Sequence, residues 1–305
     1  EILPPYRFRR HMSTPFRTGI VGTGNFAHAH AEAISLSSSF TLVGACDIDS
    51  ARSKAFTATY GGTSFADVSD MLTNEALDMV VVTTPDESHA GVIKNILTSD
   101  RRPKLLLVEK PLCTSPEDLK ELRALFAKTT QAMVIDHSRR FSKSFDRLEK
   151  LISSGDMGNL LSVRWKYYAG WMRNGVHVVD TLRMFFGEFT CESAVLKGVD
   201  RYEHDPLLDV VLRSKKFPGA RTTLEGVPEH PYQIFEGELF FSKGRIRIHH
   251  DDIFIDRLKP GYADIPSLEF DEHFKADAPA ETMKNLYESC GAFLSGKADQ
   301  RLKTA

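Results

Sequence analysis

Apolar residues in the first 137 positions follow two alternating rhythms. Short continuous runs at 17–22, 40–47, 77–84, 104–110 and 132–137 read as strands. In LDMVVVTT (77–84) and KLLLVEK (104–110) apolar residues recur without polar alternation, the mark of a strand buried on both faces. The segments between them, 25–34, 50–60, 88–97 and 115–128, carry helical patterns. Ser115 can cap the last of these, Pro116 suits its first position, and Glu117 and Asp118 complement its positive end. Strand–helix alternation of this kind predicts a parallel sheet covered on both faces. Beyond 137 the rhythm changes. Helices are expected at 143–154, ended by Gly155, and at 176–186, with a strand at 159–171 between them. Strand-like runs follow at 191–200, 206–217, 220–228 and 235–258, and a helix at 279–294 closes the series. Strands in succession predict a mostly antiparallel, open-faced sheet with helices on one side. The fold class is therefore α/β plus α+β, with domains at 13–137 and 138–305.

Composition adds exclusions. The 305 residues carry 39 basic and 41 acidic side chains, a formal charge of −2, so no general field draws nucleic acid or an anionic membrane. No apolar run reaches the roughly 18 residues of a membrane span. Cys46, Cys113, Cys191 and Cys290 lie far apart in sequence, which fits a reducing, cytoplasmic setting and no metal pattern. Residues 1–12, ending in His11-Met12, are read as a tag remnant or flexible tail and left out of functional reasoning. His28-x-His30 and His249-His250-Asp251-Asp252 are discounted as metal sites, because neighbouring residues in a helix or strand diverge.

The sharpest motif is Gly22-Thr23-Gly24-Asn25-Phe26-Ala27, of the form G-x-G-x-x-A, between a predicted strand and a predicted helix. Gly22 allows a tight turn, Gly24 lets a pyrophosphate approach backbone N–H groups at the helix start, and Ala27 allows close helix–sheet packing. Asp47 ends the next strand at the spacing expected of an acid that accepts the ribose hydroxyls. That acid favours NAD over NADP, while Arg52 nearby leaves NADP open. Together these features predict a Rossmann dinucleotide-binding domain. Thr84 and Pro85 follow the third long strand, where such sheets place ligands, and His89 is near enough to join them or to be a core histidine.

Glu109-Lys110-Pro111 after a buried strand, with GTGNFA, Asp47, TTPDESH (83–89), SRRF (138–141), SGDMG (154–158) and GVHVVD (175–180), resembles the Gfo/Idh/MocA oxidoreductases. The resemblance runs from 17 to about 295. It implies hydride transfer between nicotinamide and a secondary alcohol or ketone of a sugar, cyclitol or sugar nucleotide. Lys110 matches the family's catalytic lysine and Pro111 a proline often cis there. His177 matches the usual proton-transferring residue, and Glu109 and Lys110 join the cofactor contacts. The second domain would bind substrate and make a homo-oligomer, a dimer or tetramer. Chemically the pair is sound: a neutral imidazole takes the proton and an ammonium stabilises developing alkoxide.

The sequence departs from the family in places. Many relatives carry an aspartate four residues before the histidine; here it is Arg173. Three readings stay open: Arg173 points away, it binds an anionic group of the substrate, or the site has lost its chemistry. Asp180 is an alternative carboxylate for His177, and Trp171 a candidate surface for stacking on a sugar. The connection between 159–171 and the histidine helix is also shorter than in many relatives. The alternatives to a sugar dehydrogenase are a non-catalytic dinucleotide-binding sensor of the same fold and a reductase of a non-sugar carbonyl.

Overall fold

The computed structural model describes residues 14–199, 205–228, 232–259, 266–297, 299 and 302. Residues 1–12, read above as a tail, lie outside them.

The first sheet has six strands: β1 (Phe16–Val21), β2 (Phe40–Cys46), β3 (Thr63–Phe65), β4 (Met79–Val82), β5 (Leu105–Glu109) and β6 (Ala132–Asp136). Their spatial order is β3-β2-β1-β4-β5-β6, and pairing is parallel from β3 through β5. The intervening helices are α1 (Asn25–Leu36), α2 (Ser50–Tyr60), α3 (Val68–Asn74), α4 (His89–Thr98) and α5 (Pro116–Phe126). Order reversal on either side of β1 is the doubly wound pattern. Every residue of β4 and β5 is buried, which is why their apolar runs show no alternation. Side chains begin the helices where expected. Asp49 accepts from the N–H groups of Ala51 and Arg52 at the start of α2, and Ser115 accepts from Asp118 N–H before α5.

The second sheet has eight strands. They are β7 (Leu160–Tyr167), β8 (Phe189–Val199), β9 (Pro206–Ser214), β10 (Arg221–Gly226), β11 (Phe235–Phe241), β12 (Gly244–His249), β13 (Asp252–Lys259) and β14 (Ser267–Lys275). Their order is β14-β13-β12-β11-β7-β10-β9-β8, antiparallel except for the parallel pair β10–β7. In β7 and β11, inward residues such as Val163, Trp165, Tyr167 and Leu239 alternate with polar outward ones. The inward face forms one core with Phe145 and Leu148 of α6 (Lys143–Ser153) and Leu182 and Phe186 of α7 (Val176–Phe186). The last helix is α8 (Pro279–Leu294).

Several segments differ from the expectation. The run 235–258 is three strands joined by tight turns, and β3, α3 and β14 were not foreseen. The strand expected to reach Trp171 stops at Tyr167, because Ala169 (φ 56°) and Gly170 (φ 79°) leave the extended region and a π-helical turn, Trp171–Gly175, follows. The compact units also do not meet at a single cut near 137. One takes the chain up to Val108, Leu119–Val134 and the chain from Tyr287; the other takes Glu109–Asp118 and Ile135–Leu286. Tyr287 belongs with the first because its hydroxyl meets His30 Nδ1 at 3.1 Å and its ring meets Phe40 edge-on.

Candidate active site

In the first unit the chain leaves β1 through Gly22, whose φ of 87° is the left-handed conformation that glycine tolerates. A Cβ there would also lie 2.8 Å from the Thr84 backbone. Thr83 Oγ1 donates to Gly22 O at 2.6 Å, which ties the end of β4 to this turn. Gly24 is the N-cap of α1, and a side chain there would meet open space, so the helix N-terminus is uncovered at that point. Ala27 is fully buried against the sheet, whereas Asn25 and Phe26 are exposed.

Asp47 takes a part in the turn itself. Its Oδ2 accepts from Thr23 N–H at 2.7 Å and from Thr23 Oγ at 2.9 Å, and its Oδ1 accepts from Asp49 N–H at 2.9 Å. Burial works against ionisation, but these donors hold the carboxyl below its ordinary pKa. Asp47 is thus a strut under Thr23 with one acceptor direction of Oδ1 left. Thr84 Oγ1 is buried without a hydrogen-bond partner among the described residues. His89 is fully buried and its Nε2 meets Thr84 O at 2.9 Å, so it supports the turn from beneath, the core-histidine reading. Arg52 is exposed and pairs with Asp49 at 3.4 Å. An uncovered helix N-terminus and an orphaned hydroxyl can donate to a dinucleotide's phosphates, and a carboxylate just after β2 can accept from its ribose.

The second unit holds the groups proposed for proton and charge chemistry. Lys110, after the buried Glu109, precedes a cis bond to Pro111, and its Nζ donates to Arg173 O at 3.1 Å. Arg173 therefore meets the lysine through its backbone carbonyl, as part of the π-helical turn. Trp171, on the same turn, is half-buried and packs its ring edge-on to Tyr167 against the core. His177 lies in the first turn of α7, and its ring meets that of His137 at 6.3 Å between centroids in a T-shaped contact. Burial first, then Arg139, Lys110 and His137, hold His177 well below its ordinary pKa. Asp180 is not its carboxylate partner. It is buried and taken up by Arg140, whose Nε lies 2.9 Å from both carboxylate oxygens.

Of two further neighbours of His177, Arg139 was noticed in the sequence only as part of the SRRF motif, and His137 was not singled out. His137 follows β6 directly and has a buried Nδ1 without a partner among the described residues. Burial first, with Arg140, Lys110 and Arg183, lowers its pKa against the pull of Asp180. Arg139 lies 4.0 Å over the Phe235 ring, and burial pushes its pKa down to about 10. The position of both just past the carboxyl end of β6, the last strand of the first sheet, was the available signal.

Parallel sheet, glycine turn and acid together define an NAD(P)-binding domain. Residues 16–137 match the family model GFO_IDH_MocA, described as an oxidoreductase family with an NAD-binding Rossmann fold. Curated relatives include a glucose-6-phosphate 3-dehydrogenase of Bacillus subtilis, 28% identical over 48% of this chain and 41% of that protein. An inositol 2-dehydrogenase of Leifsonia xyli is 32% identical over 50% of this chain and 45% of the relative. The matched region spans less than half of each. Among solved structures, KijD10, a 3-ketoreductase from Actinomadura kijaniata in complex with NADP, superposes with a TM-score of 0.77 at 20% identity, covering 95% of this chain and 92% of that one. An NAD binding oxidoreductase from Klebsiella pneumoniae gives 0.79 at 14% identity, covering 94% and 91%. These likenesses extend the shared fold over both units. Over residues 16–137, its dinucleotide-binding domain, the chain is similar to the Gfo/Idh/MocA oxidoreductases.

Proposed function

We propose that this protein is an NAD(P)-dependent dehydrogenase or reductase acting on the secondary alcohol or ketone of a sugar, cyclitol or sugar nucleotide. The observation that carries the proposal is the grouping of Lys110, His177 and the π-helical turn within one compact unit of a chain whose other unit carries a glycine turn suited to a dinucleotide. Gly22, Gly24, Thr23, Asp47 and Thr84 would hold the cofactor, which supplies or takes up a hydride when bound. Lys110 keeps an ammonium where alkoxide charge develops. The His177 ring, neutral at working pH, accepts the hydroxyl proton in oxidation and returns it in reduction. The exposed apolar residues of the edge strands, Val195, Leu196 and Val199 on β8 and Phe270 on β14, favour a homo-oligomer.

The charges acting on His177 are those of Arg139 and Lys110, with the His137 ring in contact with it, and Asp180 of the same helix is paired with Arg140. That balance favours a substrate bearing phosphate or carboxylate. A screen of neutral polyols, sugar phosphates, uronates and nucleotide sugars, read by NADH absorbance, tests both parts. We expect kcat/KM for acidic members to exceed that of their neutral analogues by about tenfold or more. Equal rates would remove the anionic preference. Dinucleotide binding with no turnover on any member would support the sensor reading instead.

Asp47 carries the cofactor preference. Asp47→Ala removes the acceptor from Thr23 and the carboxylate from the end of β2. NAD affinity should fall by about tenfold, as for lost hydrogen bonds to a charged group, and NADP affinity by less. Fluorescence titration with both reduced cofactors measures this; equal losses would show Asp47 to be a strut alone.

A further inference from the structure

The backbone between β7 and α7 is shaped at unusual cost. Ala169 is one of only two non-glycine residues with positive φ among the described residues, Gly170 also has positive φ, and the next five residues form a π-helical turn. Such turns are rare and concentrate at functional sites. What holds this one is a side chain from a distant part of the sequence. Asp205, 5% exposed just before β9, accepts from the N–H of Met172 at 2.7 Å and of Arg173 at 3.1 Å. A Cβ on Gly170 would fall within the Asp205 carboxylate, so glycine is required for that approach. On the same turn, the carbonyl of Arg173 itself receives the Lys110 ammonium at 3.1 Å.

We propose that Asp205 is a positioning residue for Lys110, acting through the π-helical turn: its carboxylate fixes the backbone of Met172 and Arg173 so that the Arg173 carbonyl holds the lysine. The inference rests on the catalytic reading of Lys110 for its significance, but the linkage is physical and separately measurable. Unpaired N–H groups in a half-buried turn cost free energy, so loss of the carboxylate lets the turn relax towards ordinary helix or coil. The carbonyl then moves away from the ammonium. Asp205 itself is pushed above the ordinary carboxylate pKa by burial, against the pull of the Met172, Arg173 and Trp171 N–H groups and of the Arg173 charge.

The test uses the full chain as wild type, Asp205→Asn and Asp205→Glu. Acetic anhydride labelling across pH, read by mass spectrometry, reports the reactivity of Lys110 without reference to turnover. In Asp205→Asn the Lys110 labelling rate at fixed pH should rise roughly three- to tenfold, since a carbonyl bond to the charged form is lost. The high-pH limb of kcat should move to lower pH with it, and the KM for cofactor should stay unchanged. Asp205→Glu keeps the charge and should recover most of the wild-type behaviour. In wild type, hydrogen exchange should be slow at the amides of Met172 and Arg173, which holds even if Asp205→Asn fails to fold. Fast exchange there, or identical Lys110 labelling in all folded variants, would overturn the proposal. If Lys110→Met left turnover intact while labelling still responded to Asp205, the catalytic reading would fail and the linkage would stand.

Discussion

Lys110→Met should lower turnover by about 10²–10³-fold while NADH affinity changes by less than about twofold. The size follows from removing one preorganised charge aimed at a developing oxyanion. Methionine keeps the unbranched apolar stem, so local packing is largely preserved. The ammonium has a defined place, since the Arg173 carbonyl receives it at 3.1 Å. The glycine turn, Thr84 and the Asp47–Thr23 contacts all belong to the other compact unit, which is why dinucleotide affinity should barely respond. Steady-state assays with fluorescence titration of NADH separate the two effects. A loss of affinity equal to the loss of turnover would make Lys110 a binding residue, and unchanged turnover would end its catalytic role.

How far the sequence announced this arrangement depends on the range of the physics involved. The parallel sheet was readable because a strand buried on both faces needs a continuous apolar run, as in the fully buried β4 and β5. The glycine turn was readable because the requirement for positive φ at Gly22 is local. The three-residue β3 is too short to carry a period, and the seven residues of α3 offered little more. The run 235–258 concealed two turns because neither Ser242-Lys243 nor His250-Asp251 has the glycine or asparagine that usually marks a hairpin, although His250 takes φ 57°. In the site, Lys110 and His177 could be named from motifs. The partners that set their behaviour come from far along the chain. Asp205 reaches the turn across more than thirty residues and Arg140 reaches Asp180 across forty, and no local pattern encodes either. Arg173 drew notice for its charge, whereas the contact it makes with Lys110 is through its backbone carbonyl.

His177→Asn should reduce turnover by about 10²–10⁴-fold, the range for loss of a positioned acid–base group. The wild-type pH profile offers a sharper check. Burial foremost, then the positive charge of Arg139 and Lys110 and the neighbouring His137, hold the imidazole well below its ordinary pKa of 6.5. The ring is the base in the oxidative direction, so it must be neutral to act. A lowered pKa keeps it neutral to lower pH, and kcat/KM should stay level as pH falls through 6.5 and drop only in more acidic buffer. An unperturbed histidine would give a limb centred near 6.5. Arg139→Gln supplies the sign test: removing a like charge favours the imidazolium, so the acidic limb must move up towards 6.5. A limb that stays put in Arg139→Gln, or one already at 6.5 in wild type, would mean that His177 is not the titrating base. The same variant reads the substrate as well, because Arg139 is one of the basic groups invoked for an anionic ligand. A rise in KM confined to phosphate- or carboxylate-bearing substrates, together with the shifted limb, would place both effects on one guanidinium held over Phe235.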